Sequence, residues 1–538
     1  MPTPAIRRRA VLAAAAGAAV VGPRAAAATA PGPVVAHTSA GPVAGERTGE
    51  SVVFRGVPYA RPPVGPLRFA SPRPPLPWRQ VRDATRFAPA FTQNLDPDSR
   101  EDALCANVWT PDTHGRRPVL VYIHGGGWQV GAGSLPTYDG SRLAARGDLV
   151  VVTFNYRLGP FGFGYHEDLT DDATGDCANW ALQDQAALLR WVRENAEAFG
   201  GDPHNITLSG TSAGGASAWQ LALRADVRSI VRRIVPISAC HVWTPATSLT
   251  VPDARRAYEE LASQLGTTVR GLRAVPADAI RTTWNGLFAG APAGRALGSG
   301  REYRGPVVDG RWMHGFDHQL PTPALPVLSV HTRTEGSFYT GPGSPIPTPA
   351  PTDDASLREA VRGVLLKGAA SVPDSLVDGC LDAYRAAAVA DGLPLDPVSL
   401  WTDIWGDGLF RYLDIRLAER HARTGSAPGY LMEFAHPARA PWFGTPHEHT
   451  SPFLFGTYGI AENAPECGTG PGERGVSNAF VDAVASFARS GDPGWPVFSP
   501  DRPSTLILGE PGGPRVAHPT KSRQLRFWDD SGWTPRVV

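Results

Sequence analysis

The sequence has few cysteines for its length of 538 residues, and those it has are isolated. The five are Cys105, Cys177, Cys240, Cys380 and Cys467. No two of them show the C-x-x-C spacing that zinc sites and redox motifs use. A structural metal site and a dense disulfide framework are therefore not indicated.

Net charge is also absent, and lysine is nearly so. Lys+Arg and Asp+Glu number 51 each, and Lys367 and Lys521 are the only lysines. Without a basic excess or a run of arginines mixed with aromatics, nucleic acid is not expected as a partner. A hydrophobic fraction of 42% and a charged fraction of 19% are typical of a folded globular chain.

The one extended apolar region lies at the N-terminus. Arg7-Arg8-Arg9 precedes an alanine-rich run that reaches Val21, and small residues follow from Ala25 to Ala30. This order predicts an export signal over residues 1–30, and Arg8-Arg9 favours the twin-arginine route. The alternatives are an ordinary secretory signal or an uncleaved anchor. The run is too short and too poor in large side chains to span a bilayer well. We therefore expect a secreted protein with no stable membrane insertion of residues 31–538.

Three apolar runs rich in β-branched residues predict buried strands. They are Pro118–Ile123, Leu149–Phe154 and Asn205–Ser209. Helical spacing of leucines between the last two predicts a helix over Ala181–Phe199. Strand, helix, strand is the unit of a parallel sheet, so the fold class is α/β. Later segments predict a strand within Ala324–His331 that begins after Pro326, a strand at Gly429–Phe434, a helix at Ala479–Arg489 and an exposed loop at Gly341–Pro351.

Two glycine motifs follow predicted strands. Gly210-Thr211-Ser212-Ala213-Gly214 fits the G-x-S-x-G turn, which exposes a serine between a strand and a helix. His124-Gly125-Gly126-Gly127 fits the H-G-G-G loop, whose backbone N–H groups can bind an oxyanion. Each motif alone is a common turn, but together and in this order they indicate acyl-transfer chemistry. The glycines of the second motif fit neither nucleotide-loop pattern, so no cofactor is expected.

Ordered matches along the chain carry a resemblance to a known family. They are Arg55-Gly56-Val57-Pro58-Tyr59-Ala60, Leu67-Arg68-Phe69, Glu101-Asp102, Asn107-Val108-Trp109, Asn155-Tyr156-Arg157, Phe199-Gly200-Gly201-Asp202-Pro203 and Gly491-Asp492-Pro493. From about residue 38 onward, the sequence resembles the type-B carboxylesterase and cholinesterase family of α/β-hydrolases. The resemblance implies a large, mostly parallel central sheet flanked by helices in a single large domain, residues 31–538.

The resemblance also implies the site residues. Ser212 falls on the family's nucleophile, Glu335 on its acid and His447 on its base. The implied oxyanion donors are the backbone N–H groups of Gly126, Gly127 and Ala213.

Spacing alone leaves alternatives to this assignment open. Asp309 is a rival acid and His449 a rival base. His447-Glu448-His449 also resembles a metal-binding segment, although two histidines without a third partner are weak support for one. The resemblance prefers Glu335 and His447, and it implies no metal.

The sequence departs from the family pattern in three places. Phe91 and Ala103 stand where relatives often pair two cysteines. Thr92–Asp102 contains no aromatic residue, whereas the longer loop of cholinesterases carries a tryptophan that binds a quaternary ammonium. Thr211 and Thr450 replace two glutamates that, in relatives, share a buried polar network with a serine matching Ser238. We therefore expect a neutral pocket that stabilises cationic groups and the imidazolium less well.

These observations predict a serine carboxylic-ester hydrolase that acts on small neutral esters through an acyl-enzyme, without metal or organic cofactor. Two alternatives remain at this stage. A binding protein of this fold would need no chemistry, although here all three triad positions are filled. A lipase or a hydrolase of amides or carbamates could use the same residues. Oligomeric state leaves no signal in the sequence. Aromatic candidates for the pocket wall are Trp128, Trp219, Trp243 and Phe338.

Overall fold

One large sheet lies at the centre of the fold, and hydrophobic side chains pack against both of its faces. The computed structural model describes residues 32–242, 250–288, 305–342, 350–366, 371–424 and 426–531. Along the strand at 117–123, Val119, Val121 and Ile123 pack into one hydrophobic cluster. Leu120 and Tyr122 pack into a second cluster. Because successive side chains of a strand point to opposite faces, these clusters lie on the two faces of the sheet.

Thirteen strands of the described residues form this sheet. They are β1 Val34–Thr38, β2 Gly41–Thr48, β3 Ser51–Pro58, β4 Arg82–Asp83, β5 Cys105–Thr110, β6 Arg117–Ile123, β7 Val150–Phe154, β8 Gly201–Thr211, β9 Val231–Ile237, β10 Val327–Thr332, β11 Gly429–Phe434, β12 Thr505–Leu508 and β13 Arg515–Ala517. Their order is β1-β2-β3-β5-β7-β6-β8-β9-β10-β11-β12-β13, and β4 pairs with β2.

The centre of the sheet is parallel and its edges are antiparallel. Strands β7, β6, β8, β9, β10, β11 and β12 are joined by parallel pairing. Strands β1, β2, β3, β5 and β7 pair antiparallel on one side, and β12 and β13 on the other. A parallel centre places the carboxyl ends of β6, β8, β10 and β11 on one edge, where sites of open α/β sheets lie.

Helices cover the sheet. They are α1 Ser141–Gly147, α2 Gly159–Gly162, α3 Trp180–Asn195, α4 Ala213–Ala222, α5 Ala225–Arg228, α6 Val251–Gln264, α7 Ala277–Phe288, α8 Ser337–Thr340, α9 Asp354–Leu366, α10 Asp374–Asp391, α11 Pro397–Gly406, α12 Tyr412–Thr424, α13 Thr450–Phe455, α14 Ala464–Cys467, α15 Pro471–Ser490 and α16 Ser522–Asp530. Residues from Pro33 onward form one compact unit. The expected α/β-hydrolase architecture is confirmed.

Most predicted elements occur close to their expected bounds. The three early strands are β6, β7 and the second half of β8, β10 begins after Pro326 as expected, and Gly429–Phe434 is β11. The predicted helix at 181–199 is α3 followed by a 3₁₀ turn. Helix α15 begins at Pro471, well before the predicted start, because the glycines of its first turns hide the apolar pattern.

Ion pairs join motifs that lie far apart in the sequence. Arg68 binds Glu101 through Nε at 2.7 Å, which connects two of the family-like motifs. Arg157 donates from Nη2 and Nε to the two oxygens of Asp184 at 2.6 and 2.7 Å, with both side chains buried. A buried pair of this kind is costly to break from one side, so it fixes the β7–α3 region.

All five cysteines lie within the described residues, and none is disulfide-bonded. Phe91 and Ala103, at the positions of the expected missing bridge, are buried in the hydrophobic core. Within the described ranges, no helix is long and apolar enough to cross a membrane. The predicted export signal, most of the predicted loop at 341–351 and Trp243 lie outside the described residues.

Candidate active site

Ser212 lies at the sharp turn between β8 and α4. Its backbone has φ 59° and ψ −123°, a conformation that costs energy for a residue with a side chain. A Cβ on Gly210 would lie 2.6 Å from the carbonyl carbon of Gly214, and a Cβ on Gly214 would collide with the carbonyl oxygen of Ile123. The glycines of the motif are therefore required by the close approach of β6, β8 and the first turn of α4.

The glycine loop after β6 lies beside this turn. A Cβ on Gly125 would lie 3.2 Å from Cβ of Ser212, and Gly126 and Gly127 have φ of 107° and 59°. Gln93 binds the far end of the loop, accepting from Gly131 N–H at 2.9 Å and donating to its carbonyl at 2.8 Å. The loop is thus held next to Ser212, where the predicted oxyanion donors Gly126 and Gly127 belong.

His124 begins this loop and is held by burial and stacking. Its ring stacks on Tyr156 with centroids 4.4 Å apart, and the Tyr156 hydroxyl donates to the His124 carbonyl at 2.9 Å. Burial lowers the pKa of His124 to about 4. The ring is therefore neutral at physiological pH and acts as a structural support for the loop.

Glu335 and His447 meet after β10 and β11. Nδ1 of His447 lies 2.6 Å from Oε2 of Glu335. The other carboxylate oxygen, Oε1, accepts from Ser238 Oγ at 2.8 Å and from Thr332 N–H at 2.6 Å. Both members of the pair are almost fully buried, and Nε2 of His447 has no hydrogen-bond partner within the described residues. The contact fixes the ring so that Nε2 is the nitrogen available for chemistry.

Charge around His447 favours its protonated form. Burial lowers the pKa of the imidazole, but the carboxylates of Glu335, Glu448 and Asp414 outweigh burial and raise it above its ordinary value. Three aromatic rings complete the enclosure. The centroid of Phe410 lies 4.2 Å from that of His447, and Phe338 and Tyr339 lie at 6.0 and 5.8 Å.

The rival residues from the sequence have other partners. Asp309 accepts from the backbone N–H groups of Arg311, Trp312 and Met313 at 2.9 to 3.1 Å, so it stabilises a local turn. His449 contacts Glu466 through Nδ1 at 3.1 Å. His447, Glu448 and His449 thus have three different partners and do not converge on one point. Within the described residues, no cluster of three candidate metal ligands occurs.

The two threonines that stand where relatives have glutamates differ in their hydrogen bonds. Thr211 Oγ1 accepts from the Tyr122 hydroxyl at 2.7 Å. The Thr450 hydroxyl is buried and has no hydrogen-bond partner among the described residues. Glu448, however, brings a carboxylate to the same region, with Oε1 2.8 Å from the position that a Cβ on Gly125 would occupy. Glu448 therefore brings an acid into this region from a position that sequence comparison passed over, and the neutral pocket stays a prediction.

A cavity of about 370 Å³ opens beside these residues. Its lining includes Gly125 and Gly126 of the glycine loop, and also Phe338, Glu448 and Glu466. Of the other aromatic candidates, Trp128 and Trp219 are fully buried, and Trp219 packs edge-on against His241. Among the candidates that lie within the described residues, only the half-buried Phe338 both lines the cavity and contacts the ring of His447.

Several residues of the site were missed from the sequence. Gln93 and Tyr122 carry no motif of their own, and their contacts cross between distant segments. Glu448 was noticed only as the centre of a possible metal-binding segment. The signal that could have found it is its position directly after the histidine, which places a carboxylate in the same turn.

The fold and the serine turn define an α/β-hydrolase, and comparison with known proteins agrees. Residues 32–528 match the Carboxylesterase family. Phenmedipham hydrolase of Pseudarthrobacter oxydans is 33% identical over 513 residues, which cover 89% of this chain and 95% of that protein. Para-nitrobenzyl esterase of Bacillus subtilis strain 168 is 32% identical over 480 residues, 85% and 90% of the two chains.

Solved structures show the same likeness. A PNB esterase structure superposes with a TM-score of 0.74 at 29% identity, covering 92% of this chain and 99% of the other. A carboxylesterase of Geobacillus stearothermophilus gives a TM-score of 0.74 at 30% identity with the same coverage. The chain therefore belongs to the carboxylesterase family. It is a carboxylic-ester hydrolase.

Proposed function

We propose that Ser212, His447 and Glu335 are the nucleophile, the general base and the orienting acid of this esterase. The observation that carries the proposal is the 2.6 Å contact between Glu335 Oε2 and His447 Nδ1. Ser212 stands on a strained strand-to-helix turn next to Gly125, which Glu448, the residue after His447, also approaches. A serine hydroxyl needs such a base, because it is a weak nucleophile at neutral pH. The contact keeps the proton on Nδ1 and leaves Nε2 free to accept one.

In the first half of the reaction, Ser212 Oγ attacks the ester carbonyl while His447 Nε2 takes its proton. The imidazolium then gives the proton to the departing alkoxide, which leaves as an alcohol, and an acyl-enzyme remains on Ser212. In the second half, His447 takes a proton from water as the water attacks the acyl carbonyl. The carboxylic acid leaves and the proton returns to Ser212. Glu335 stays ionised throughout.

The developing oxyanion is stabilised by the N–H groups of Gly126, Gly127 and Ala213. Ala213 is the first residue of α4, where backbone N–H groups lack helical partners and the helix dipole favours negative charge. The two glycines have backbone conformations that residues with side chains rarely adopt. Donors fixed in this way need no reorganisation when the charge develops, and one such donor contributes about 3 kcal/mol.

We also propose that the substrates are small neutral esters. Apolar side chains of Leu95, Val130 and Leu135 line the cavity beside the glycine loop. The lining carboxylates disfavour anionic esters, and they already have protein partners: Glu448 accepts from Ser451, and Glu466 contacts His449. Thr92–Asp102 offers no aromatic ring to a quaternary ammonium. A choline ester should therefore be no better a substrate than its uncharged 3,3-dimethylbutyl analogue.

Ser212→Ala tests the triad. The variant should lose esterase activity on a short-chain p-nitrophenyl ester and should no longer be labelled by a fluorophosphonate, while its thermal unfolding stays close to that of the wild type. Ser209→Ala, three residues earlier on β8, is the matched control. The Ser209 hydroxyl donates to the Val235 carbonyl at 2.9 Å within the sheet, so this variant should still be labelled. Full turnover by Ser212→Ala would refute the assignment.

Export through the twin-arginine route is proposed on the Arg8-Arg9 pattern alone. The full chain expressed in a bacterial host should appear outside the cytoplasm with its N-terminus cut near residue 30. Replacing Arg8 and Arg9 by lysine should retain it in the cytoplasm. Unchanged export of that double variant would exclude this route.

A further inference from the structure

A hydrogen-bond chain connects the turn that carries His447 with the turn that carries Ser212. Glu448, directly after His447, accepts from Ser451 Oγ through Oε2 at 3.3 Å. The Tyr122 hydroxyl donates its one proton to Thr211 Oγ1 at 2.7 Å, so the single proton of Ser451 Oγ is shared between Glu448 and the Tyr122 oxygen, which lies 3.1 Å away. Thr211 directly precedes Ser212. The chain therefore begins one residue after the histidine and ends one residue before the serine.

The carboxylate of Glu448 also lies against the glycine loop. Its Oε1 is 2.8 Å from the position that a Cβ on Gly125 would take, and the carbonyl oxygen of Thr211 and Cβ of Ser212 lie 3.0 and 3.2 Å from the same point. Glu448 and Ser212 thus flank the same glycine. Only a residue without a side chain leaves room for the carboxylate at this place.

We propose that Glu448 is a positioning residue of this esterase. Its carboxylate fixes the His447 turn against the Ser212 turn through Ser451 and Tyr122, and its charge stabilises the imidazolium that forms when His447 takes the serine proton. The proposal rests on the triad function proposed above. Glu448 does not touch the reacting atoms in this account; it acts through the ring of His447 and through the hydrogen-bond chain.

The charges around the pair support an electrostatic role. The groups that act on His447 are Glu335, Glu448 and Asp414, and all three carboxylates favour the protonated ring. Burial raises the pKa of Glu448, and the repulsion of Glu335 and Glu466 raises it further, whereas His447 and Ser451 oppose this rise. Glu448 therefore keeps its charge most readily when His447 is protonated, which is the state that follows attack by the serine.

The phenol groups nearby complete the environment. Burial raises the pKa of Tyr122 and Tyr138, and the charge of Glu448 raises both further. Both phenols therefore stay neutral, and the Tyr122 hydroxyl keeps the proton that it donates to Thr211. Glu448, at the end next to His447, is therefore the only acid in the chain from Glu448 to Thr211 that changes its charge when His447 does.

Glu448→Gln tests the charge, because glutamine keeps the shape of the side chain. We expect kcat on a neutral p-nitrophenyl ester to fall about 10-fold and KM to change little, since imidazolium is stabilised only after attack. The acid limb of the kcat/KM profile should move about one pH unit lower, because the pKa of His447 loses a contribution that raises it. Glu448→Asp should recover part of both effects.

Ser451→Ala and Tyr122→Phe test the hydrogen-bond chain without changing charge. Each should lower kcat while leaving the acid limb where it is in the wild type. Glu419→Gln is the matched control, since Glu419 pairs with Arg416 outside the site and should change neither quantity. These two chain variants also provide the test if Glu448→Gln fails to fold.

The outcomes separate this proposal from the triad itself. If Ser212→Ala is inactive while Glu448→Gln keeps the wild-type kcat and acid limb, Glu448 has no role and the triad stands. The proposal is also overturned if Ser451→Ala and Tyr122→Phe both keep the wild-type kcat. If Ser212→Ala retains full activity, the proposed triad is refuted, and the proposal for Glu448, which rests on it, is refuted with it.

Discussion

The Oε2 atom of Glu335 and the Nδ1 atom of His447 lie 2.6 Å apart, although 112 residues separate them in the chain. The carboxylate follows β10 and the imidazole follows β11, and these strands are parallel neighbours from Val327↔Gly429 to Thr332↔Phe434. Since parallel neighbours end on the same edge, their loops meet there. Ser238, directly after β9, donates to the second carboxylate oxygen at 2.8 Å. Three adjacent strands thus fix one hydrogen bond.

This contact predicts the effect of Glu335→Gln. The glutamine oxygen can keep accepting from Ser238 and Thr332, which turns the amide NH₂ toward His447 Nδ1. An NH₂ donor favours the tautomer with its proton on Nε2, and that tautomer cannot take the proton of Ser212. We expect kcat to fall about 10³- to 10⁴-fold at little change in KM. Asp309→Asn, at the rival acid, should keep its activity, and equal losses in both variants would contradict the assignment.

The charge around His447 predicts the pH dependence of the wild-type enzyme. In the proposed mechanism the free base of His447 is the active form, and the surrounding carboxylates raise the pKa of His447. The acid limb of kcat/KM should therefore have its midpoint above about 6.5, the ordinary histidine value. Two esters that share an acyl group but differ in their alcohol should give the same midpoint, because kcat/KM reports the free enzyme. A midpoint below 6 would argue against this electrostatic environment.

The close approach at the serine turn predicts a steep cost for Gly214→Ala. A methyl group at this position meets the carbonyl oxygen of Ile123, which belongs to β6 and cannot move without breaking the sheet. We expect a loss of about 3 kcal/mol or more in unfolding free energy, or failure to fold. Gly363→Ala in α9 is the matched control, because a Cβ there meets nothing within 4 Å. It should stabilise the protein by about 0.5 to 1 kcal/mol, as measured by urea unfolding.

A buried histidine behind the site predicts a pH-dependent stability. His241 lies between Asp317, 3.0 Å from Nδ1, and Asp414, 3.1 Å from Nε2. Burial opposes its protonation, but the two carboxylates outweigh burial and raise the pKa of His241 to about 9. Because the pKa of His241 is higher in the folded state, protonation of His241 stabilises the fold. This stabilisation is complete below about pH 6.5 and is lost as pH rises through about 9. Burial raises the pKa of Asp317 and Asp414, although His241 opposes this rise. Their contribution to the stability of the fold therefore also decreases as pH rises.

The thermal unfolding temperature should therefore fall between pH 6.5 and 9. His241→Gln should flatten this dependence and cost about 3 to 5 kcal/mol at neutral pH, since it removes the cation between two buried carboxylates. The exposed His204 gives the control variant His204→Gln, which should change stability by less than about 0.5 kcal/mol. A wild-type unfolding temperature that stays constant over this pH range would contradict the assigned charge state.

The sequence predicted the elements that carry the site well, because local physics defines them. Five-residue β-branched runs such as Val150–Phe154 are buried on both faces, which makes them readable as central parallel strands. The glycines around Ser212 are readable for a similar reason, since a strained turn tolerates few other residues. Helix α15 was predicted too short because its first turns carry glycines, so no apolar period marks them.

The choice between Glu335 and Asp309, or between His447 and His449, was not fixed by spacing. All four residues are polar, lie in loops and fit the required chain order. The resemblance to relatives gave a preference. In the folded chain Asp309 binds backbone N–H groups of its own turn, and His449 contacts Glu466. Such contacts depend on which loops the sheet order brings together, and that order is not a local property.

By itself, the sequence determined the fold class, the strained serine turn and the glycine loop beside it, because each depends on steric rules that act over a few residues. Only the tertiary structure decided where the charges lie. From the sequence, Thr211 and Thr450 indicate that two acids of the family are missing. In the folded chain, Glu448 from the neighbouring turn lies in the same region. Electrostatic interactions act through space between groups from different strands, so counting acids at two positions of the chain does not determine the charge of this pocket.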